Sequence, residues 1–202
     1  MARVYLGLGT NRGEREQNMA TALARLQERL RLVAVSSLYE TAPWGVTDQP
    51  PFLNAAVAAE TDLPPAELLA FVKGMEREMG RQPGGRWGPR LMDIDILLYD
   101  DLVLETPDLV IPHPRLTERA FVLVPLAEIA PDAVHPVYKQ TIQALLARAS
   151  DREGVRLWPP GKSASWREFH TASAVCAGHR NCHPERSEGS HSLRRDSSLP
   201  LR

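Results

Sequence analysis

At 202 residues, 43% of them hydrophobic and 24% charged, the chain has the length and composition of one soluble domain with a substantial core. A formal net charge of -1 supplies no global field for nucleic acid or an anionic membrane, so neither is expected as a partner. No apolar run approaches a bilayer span, the N-terminus lacks a signal-like h-region, and Cys176 and Cys182 lie too near the C-terminus to suggest a disulfide framework, so a cytoplasmic location is expected.

"RVYLGLG" (3 to 9) alternates Val4, Leu6 and Leu8 on one face and reads as a strand. Met19, Leu23, Leu26 and Leu30 then recur at helical spacing. "LVAVSSLYE" (32 to 40) predicts a second strand and "FLNAAVAAET" (52 to 61) a third, with a Pro- and Gly-punctuated loop between them. Pro64 and Pro65 suit a first helical turn, Leu68, Val72, Met75 and Met79 give the stripe that follows, and Gly80 is placed to end it. "RWGPRLMDIDILLYDD" (86 to 101) supplies the next strand, followed by a short extended piece, "LVIPHP". Thr117 is a candidate cap for a helix through "ERAFVLVPLAEIA", which Pro125 should kink or interrupt, and "QTIQALLARA" (140 to 149) predicts a last short helix. The order β-α-β-β-α-β predicts an α+β fold of the split, ferredoxin-like kind: an antiparallel sheet with helices on one face and the other face open for a site. Residues 1–158 form that domain. From 159 to 202 the chain is Ser-, Arg-, His-, Gly- and Pro-rich without apolar period, the composition of a disordered tail whose removal should be harmless.

The chemistry concentrates on the fourth strand. Side chains at i and i+2 share a face, so Ile94, Ile96 and Leu98 fall on one side while Asp93 and Asp95 project together from the other. Two carboxylates that close repel unless a cation sits between them, and magnesium takes one or two carboxylates plus substrate phosphates; the same pair also fits a solvated strand end. Arg81, Arg86, Arg90, Arg115 and Arg119 surround it, either as surface salt-bridge partners or as a bidentate phosphate grip. "GRQPGGRWG" has the character of a lid closing on phosphates. Phe52 and Asn54 share one strand face, a ring and a bidentate amide suited to a heteroaromatic ligand, although a strand Phe is commonly core. "PPGKSAS" is not a phosphate loop, because Arg156 stands where the first glycine is required and no strand precedes it. Cys176, His179, Cys182 and His183 match no usual zinc spacing.

The string "RWGPRLMDIDIL" resembles the signature of the 6-hydroxymethyl-7,8-dihydropterin pyrophosphokinases of folate synthesis. "GTN", "SSLYETAPWG", "DQPPFLNAAVAAET" and "IPHPRLTERAFVLVPLAEIAP" are similar to that family in the same order, over roughly residues 2 to 158. The resemblance implies a ferredoxin-like fold and the transfer of pyrophosphate from ATP, the co-substrate, to the pterin hydroxymethyl oxygen, with release of AMP. It implies that Asp93 and Asp95 hold two Mg2+ ions. It places Arg81, Arg90, His113 and Arg119 against ATP, Ile96 beside the adenine, and Glu76 at an acidic helix position grouped with these contacts. Thr41, Pro43, Gly45 and Asn54 match the pterin pocket, with Phe52 and Phe121 as stacking rings; Arg86 and Trp87 belong to the catalytic loop, and Arg81, Arg86 and Arg90 join the Asp pair in catalysis. Phe52 stands where Tyr is common, the loop is one residue short, and Pro114 replaces a common aromatic. The partners implied are the two small substrates, and a monomer is expected. A catalytically silent nucleotide- or pterin-binding module would not need the paired metal carboxylates. A metal-dependent nuclease or glycosyltransferase would leave the Phe52/Asn54 face unused.

Overall fold

Strict alternation builds the centre of the molecule. The computed structural model describes residues 1–43, 48–80, 90–159 and Trp166. In β1 (Ala2–Thr10) every second side chain, Val4, Leu6 and Leu8, is buried on one face. β4 (Phe52–Thr61) and β5 (Asp93–Tyr99) flank β1, both antiparallel to it. α1 (Arg15–Leu26) lays Met19, Leu23 and Leu26 on this apolar face. α2 (Pro65–Glu78) adds Leu68, Val72 and Met75, starting on Pro65, whose fixed φ and missing N–H suit a first turn. Gly80 ends that helix at φ 94°, where a Cβ would also stand 2.9 Å from Leu91.

The second predicted strand is two strands. β2 (Arg31–Val35) pairs with the far half of β4 and β3 (Tyr39–Thr41) with the near half. Ser36 makes the break: its backbone N–H donates to the Ala56 carbonyl at 3.0 Å, while its hydroxyl accepts from the Ala56 N–H at 2.9 Å. A side chain thereby replaces one rung of the ladder and frees the chain to change register. β6 (Leu104–Glu105) and β7 (Val110–Ile111) form a separate small hairpin.

Helices cover both faces of the sheet, which corrects the expectation of a one-faced layer. α3 (Ala120–Ile129) and α4 (Ile142–Arg148) pack Val122, Leu123, Leu126, Ile142 and Leu145 against Ala56, Leu97 and Leu98 on the side opposite α1 and α2. The physical reason lies in the sequence of α3: "AFVLVPLAEI" is apolar nearly all round and cannot face water. Pro125 sits inside α3 without ending it. Thr117 does not cap this helix, since Leu116–Glu118 is a 3-10 turn; the Ala120 N–H instead donates to Asp151 at 3.3 Å.

β8 (Arg156–Leu157) adds a strand beside β3, so the main sheet runs β5-β1-β4-β3-β8, with β2 also on β4. Trp158 then anchors the chain, donating its backbone N–H to Leu38 and its indole N–H to Glu16, each at 2.8 Å. Trp166 departs from the tail expectation: it is 7% exposed and belongs to the α1/α2 core. Residues 160–165 and 167–202, with Cys176, His179, Cys182 and His183, lie outside the described residues. No helix among the described residues is long and apolar enough to cross a membrane.

Candidate active site

α3 leaves one end of its sheet face uncovered, and a cleft of about 390 Å³ opens there. Its floor is built by register. Gly9 pairs with Asn54 on one side and Asp93 on the other; Gly7 pairs with Ala56 and Asp95. Both glycines occupy the open face because Leu6 and Leu8 occupy the core. A Cβ at Gly9 would stand 3.4 Å from Asn54 Oδ1, and one at Gly7 would stand 3.3 Å from a Leu97 methyl, so any larger residue would raise the floor.

One end of the cleft is ionic. Asp93 and Asp95 project into it together, their side chains 22% and 35% exposed. Arg90 pairs with Asp93 through Nη1 and Oδ2. Asn11 fixes Arg90 from behind: its Oδ1 accepts the Arg90 N–H at 2.8 Å and its own N–H donates to the Arg90 carbonyl at 3.1 Å. The Asn11 amide also reaches Gln49 and the Pro50 carbonyl, at 3.1 and 3.2 Å, drawing the 48–51 segment to the rim. His113 is held by its N–H to the Leu97 carbonyl at 2.9 Å, and its Nδ1 accepts from the Arg115 N–H at 3.2 Å. That leaves Nε2 facing Asp95 Oδ2 at 3.9 Å. Burial lowers the His113 pKa below the ordinary imidazole value, opposed by Asp95 and Asp93 and aided by Arg119 and Arg115. Burial likewise lowers Arg119, whose guanidinium lies 5.5 Å from the Phe121 ring centre.

The other end is flat and edged by amide and hydroxyl. Asn54 is 6% exposed and donates through Nδ2 to Thr41 Oγ1 at 2.9 Å. Phe52 and Phe121, both half-buried, add ring surface. β3 carries Thr41 opposite Phe52, so the split of the second strand is what delivers this hydroxyl.

Thr41, Phe52, Asn54, Arg90, Asp93, Asp95, His113, Arg119 and Phe121 therefore meet in one cleft. Pro43 is half-buried next to the lining residue Ala42. Ile96 and Glu76 are not brought there. Ile96, 4% exposed, points into the core because it has the parity of Ile94, and Glu76, 1% exposed, lies on α2 behind β5. Gly45, Arg81, Arg86 and Trp87 lie outside the described residues. Gly7, Gly9, Gln49 and the anchoring Asn11 escaped sequence reasoning. The signal for the glycines was the alternation "LGLG", which puts both on the face that Asp93 and Asp95 share.

The donor set fits a hard divalent cation in part. Among the described residues no group of three or more His, Cys, Asp or Glu could hold a metal alone. Two carboxylates suit Mg2+, which completes its shell from water and phosphate oxygens. Arginines around such a pair match the polyphosphate that would bring those oxygens.

Residues 5–131 match the family model of 7,8-dihydro-6-hydroxymethylpterin-pyrophosphokinase. The chain is 46% identical over 143 residues to the 2-amino-4-hydroxy-6-hydroxymethyldihydropteridine pyrophosphokinase of Aquifex aeolicus, covering 71% of this chain and 89% of the relative. It is 48% identical over 150 residues to the enzyme of the same name from Methylorubrum extorquens, covering 73% and 94%. Its fold is similar to that of the crystal structure of Plasmodium falciparum HPPK-DHPS with pteroate, with a TM-score of 0.61 at 20% identity. That likeness covers 73% of this chain and 42% of the solved chain, so this chain spans less than half the length of its structural neighbour. The family match and these relatives together define an ATP-dependent pyrophosphokinase. The chain belongs to the 7,8-dihydro-6-hydroxymethylpterin-pyrophosphokinase family.

Proposed function

We propose that this chain transfers diphosphate from ATP to the hydroxymethyl oxygen of 6-hydroxymethyl-7,8-dihydropterin, releasing AMP, and that Asp93 and Asp95 are the residues that would hold Mg2+. The observation that carries the reading is a single cleft whose ionic end and flat end adjoin. Asn54 and Thr41 would meet the pterin's polar edge while Phe52 and Phe121 cover its faces. Arg90, Arg115 and Arg119 would grip phosphate oxygens and neutralise charge as it develops. Bound Mg2+ supplies Lewis-acid polarisation of the phosphates and lines up donor and acceptor. Arg90 must then share Asp93 with the metal. His113, whose Nδ1 accepts from the Arg115 N–H, would donate from Nε2 to a phosphate oxygen. The strand order, with β2 and β3 together as one split strand, supports a ferredoxin-like core capped on its second face by α3 and α4.

The test is to supply ATP and 6-hydroxymethyl-7,8-dihydropterin and follow AMP release with and without Mg2+. Stoichiometric AMP and pterin diphosphate are expected only with the metal. Ligand binding without AMP release would make the chain a silent binding module.

A further inference from the structure

Ile94, the one residue between Asp93 and Asp95, is held by two side chains from the other side of the sheet. Its backbone N–H donates to Glu76 Oε1 at 2.7 Å, and its carbonyl accepts from Lys73 Nζ at 3.1 Å. Lys73 and Glu76 close the loop with an ion pair of 2.6 Å, one helical turn apart on α2. Glu76 is 1% exposed and Ile94 fully buried.

Among the described residues, β5 is the end strand of its sheet, with β1 on one side and no partner strand on the other. An edge strand is ordinarily the part of a sheet freest to twist, because its outward N–H and C=O groups bond only to water. Here the outward groups of Ile94 are taken by protein. Asp93 and Asp95 branch from the two peptides flanking that residue. A rotation of the Ile94 backbone would therefore change the separation and aim of both carboxylates.

We infer that Lys73 and Glu76 form a positioning clip that sets the geometry of the Asp93–Asp95 pair for a divalent cation, an inference that rests on the metal reading above. Neither residue lines the cleft, and both act through the backbone of β5. A buried carboxylate accepting a backbone N–H is a stiff, charge-assisted contact. Groups that orient metal ligands without touching the metal change metal affinity by about 10- to 100-fold when removed.

The experiment uses the full chain with Glu76→Ala, Glu76→Gln, Lys73→Met and Asp95→Ala. Mn2+ binding is titrated by electron paramagnetic resonance in the presence of a non-hydrolysable ATP analogue. Pterin affinity at saturating Mn2+ and the melting temperature are measured alongside. Glu76→Ala and Lys73→Met should raise the Mn2+ midpoint roughly tenfold while pterin affinity stays unchanged. Glu76→Gln, whose amide oxygen still accepts from Ile94, should recover most of the loss. An unchanged midpoint in the folded variants overturns the clip, even if they melt earlier. So does a parallel fall in metal and pterin affinity, or a Gln variant as impaired as Ala. Should Glu76→Ala fail to fold, the Lys73→Met midpoint decides in the same way. Asp95→Ala separates the two ideas: if it binds Mn2+ like the parent, the metal assignment falls and the clip with it.

Discussion

Asp93 and Asp95 have Arg90 on one side and His113 on the other, so the Arg90 guanidinium already offsets part of their joint charge before any substrate arrives. Replacing either carboxylate with Ala is expected to cut AMP release by about 100-fold or more, since charge neutralisation by a metal is worth several kcal/mol. The fold should survive, because both side chains face the cleft and not the core. A variant retaining a tenth of parental turnover at saturating Mg2+ would remove the metal from this pair. Asn54 is buried, and its partner Thr41 is fixed by β3. Asn54→Ala should weaken pterin binding by one or more orders of magnitude, because a site built to hydrogen-bond rejects mismatched partners, while ATP affinity stays near normal. Equal losses by calorimetry would place Asn54 elsewhere. At this scale the Asp pair was legible because i, i+2 parity on a strand is a matter of geometry. Asn11 was not: its value lies in contacts to Arg90, Gln49 and Pro50, which are 38 to 79 residues away.

Among the elements, β1, α1 and α2 follow directly from periods of two and 3.6 residues, and β4 from its apolar run. The split between β2 and β3 does not, because the two serines of "VSSLY" are equally compatible with a continuous strand and the decision rests with partners far along the chain. Glu128 on α3 accepts from the Ser37 N–H, the Ser37 hydroxyl and the Tyr39 hydroxyl, all within 3.1 Å. Burial, with help from Glu128, raises the Tyr39 pKa far above the usual phenol range. Glu128→Ala should lower stability by about 1 kcal/mol, the net worth of such bonds at an exposed site, readable as an earlier denaturation midpoint. A second element-level test concerns the turn before α4. His135 is 3% exposed, and its Nδ1 accepts from the Val137 and Tyr138 N–H groups at 3.3 Å. Burial lowers its pKa below 6.5, so on acidification the unfolded chain takes up the proton first. Stability contributed by the neutral ring is thus full above 6.5 and is lost as pH falls below it. His135→Asn should flatten the decline in melting temperature between about pH 7 and pH 5; an unchanged slope would assign it to His113 or to the carboxylates.

Over the whole molecule, one sheet carries two cores, and the α1/α2 core reaches further along the chain than the apolar period suggests. The drop in hydrophobicity after Trp158 marks where regular elements end, yet a single large ring eight residues on is buried. A lone Trp among Ser, Lys and Arg has no periodicity to reveal it. Truncation after residue 161 should therefore cost about 3 kcal/mol, the usual scale for losing a buried Trp, whereas truncation after residue 170 should cost little. Matching melting temperatures for the two truncations would show that Trp166 contributes nothing.

The grip on Ile94 has a further consequence, for solubility. An end strand with unpaired backbone groups invites another chain to add itself to the sheet, the first step toward aggregation. At Ile94 both outward groups are already engaged by Lys73 and Glu76, and a little further along the Leu97 carbonyl is taken by the His113 N–H at 2.9 Å. A visiting strand meets the Lys73–Glu76 pair of α2 there instead of an open ladder. Opening that edge would expose a sticky seam beside an apolar core, so the Lys73–Glu76 pair guards the protein against itself.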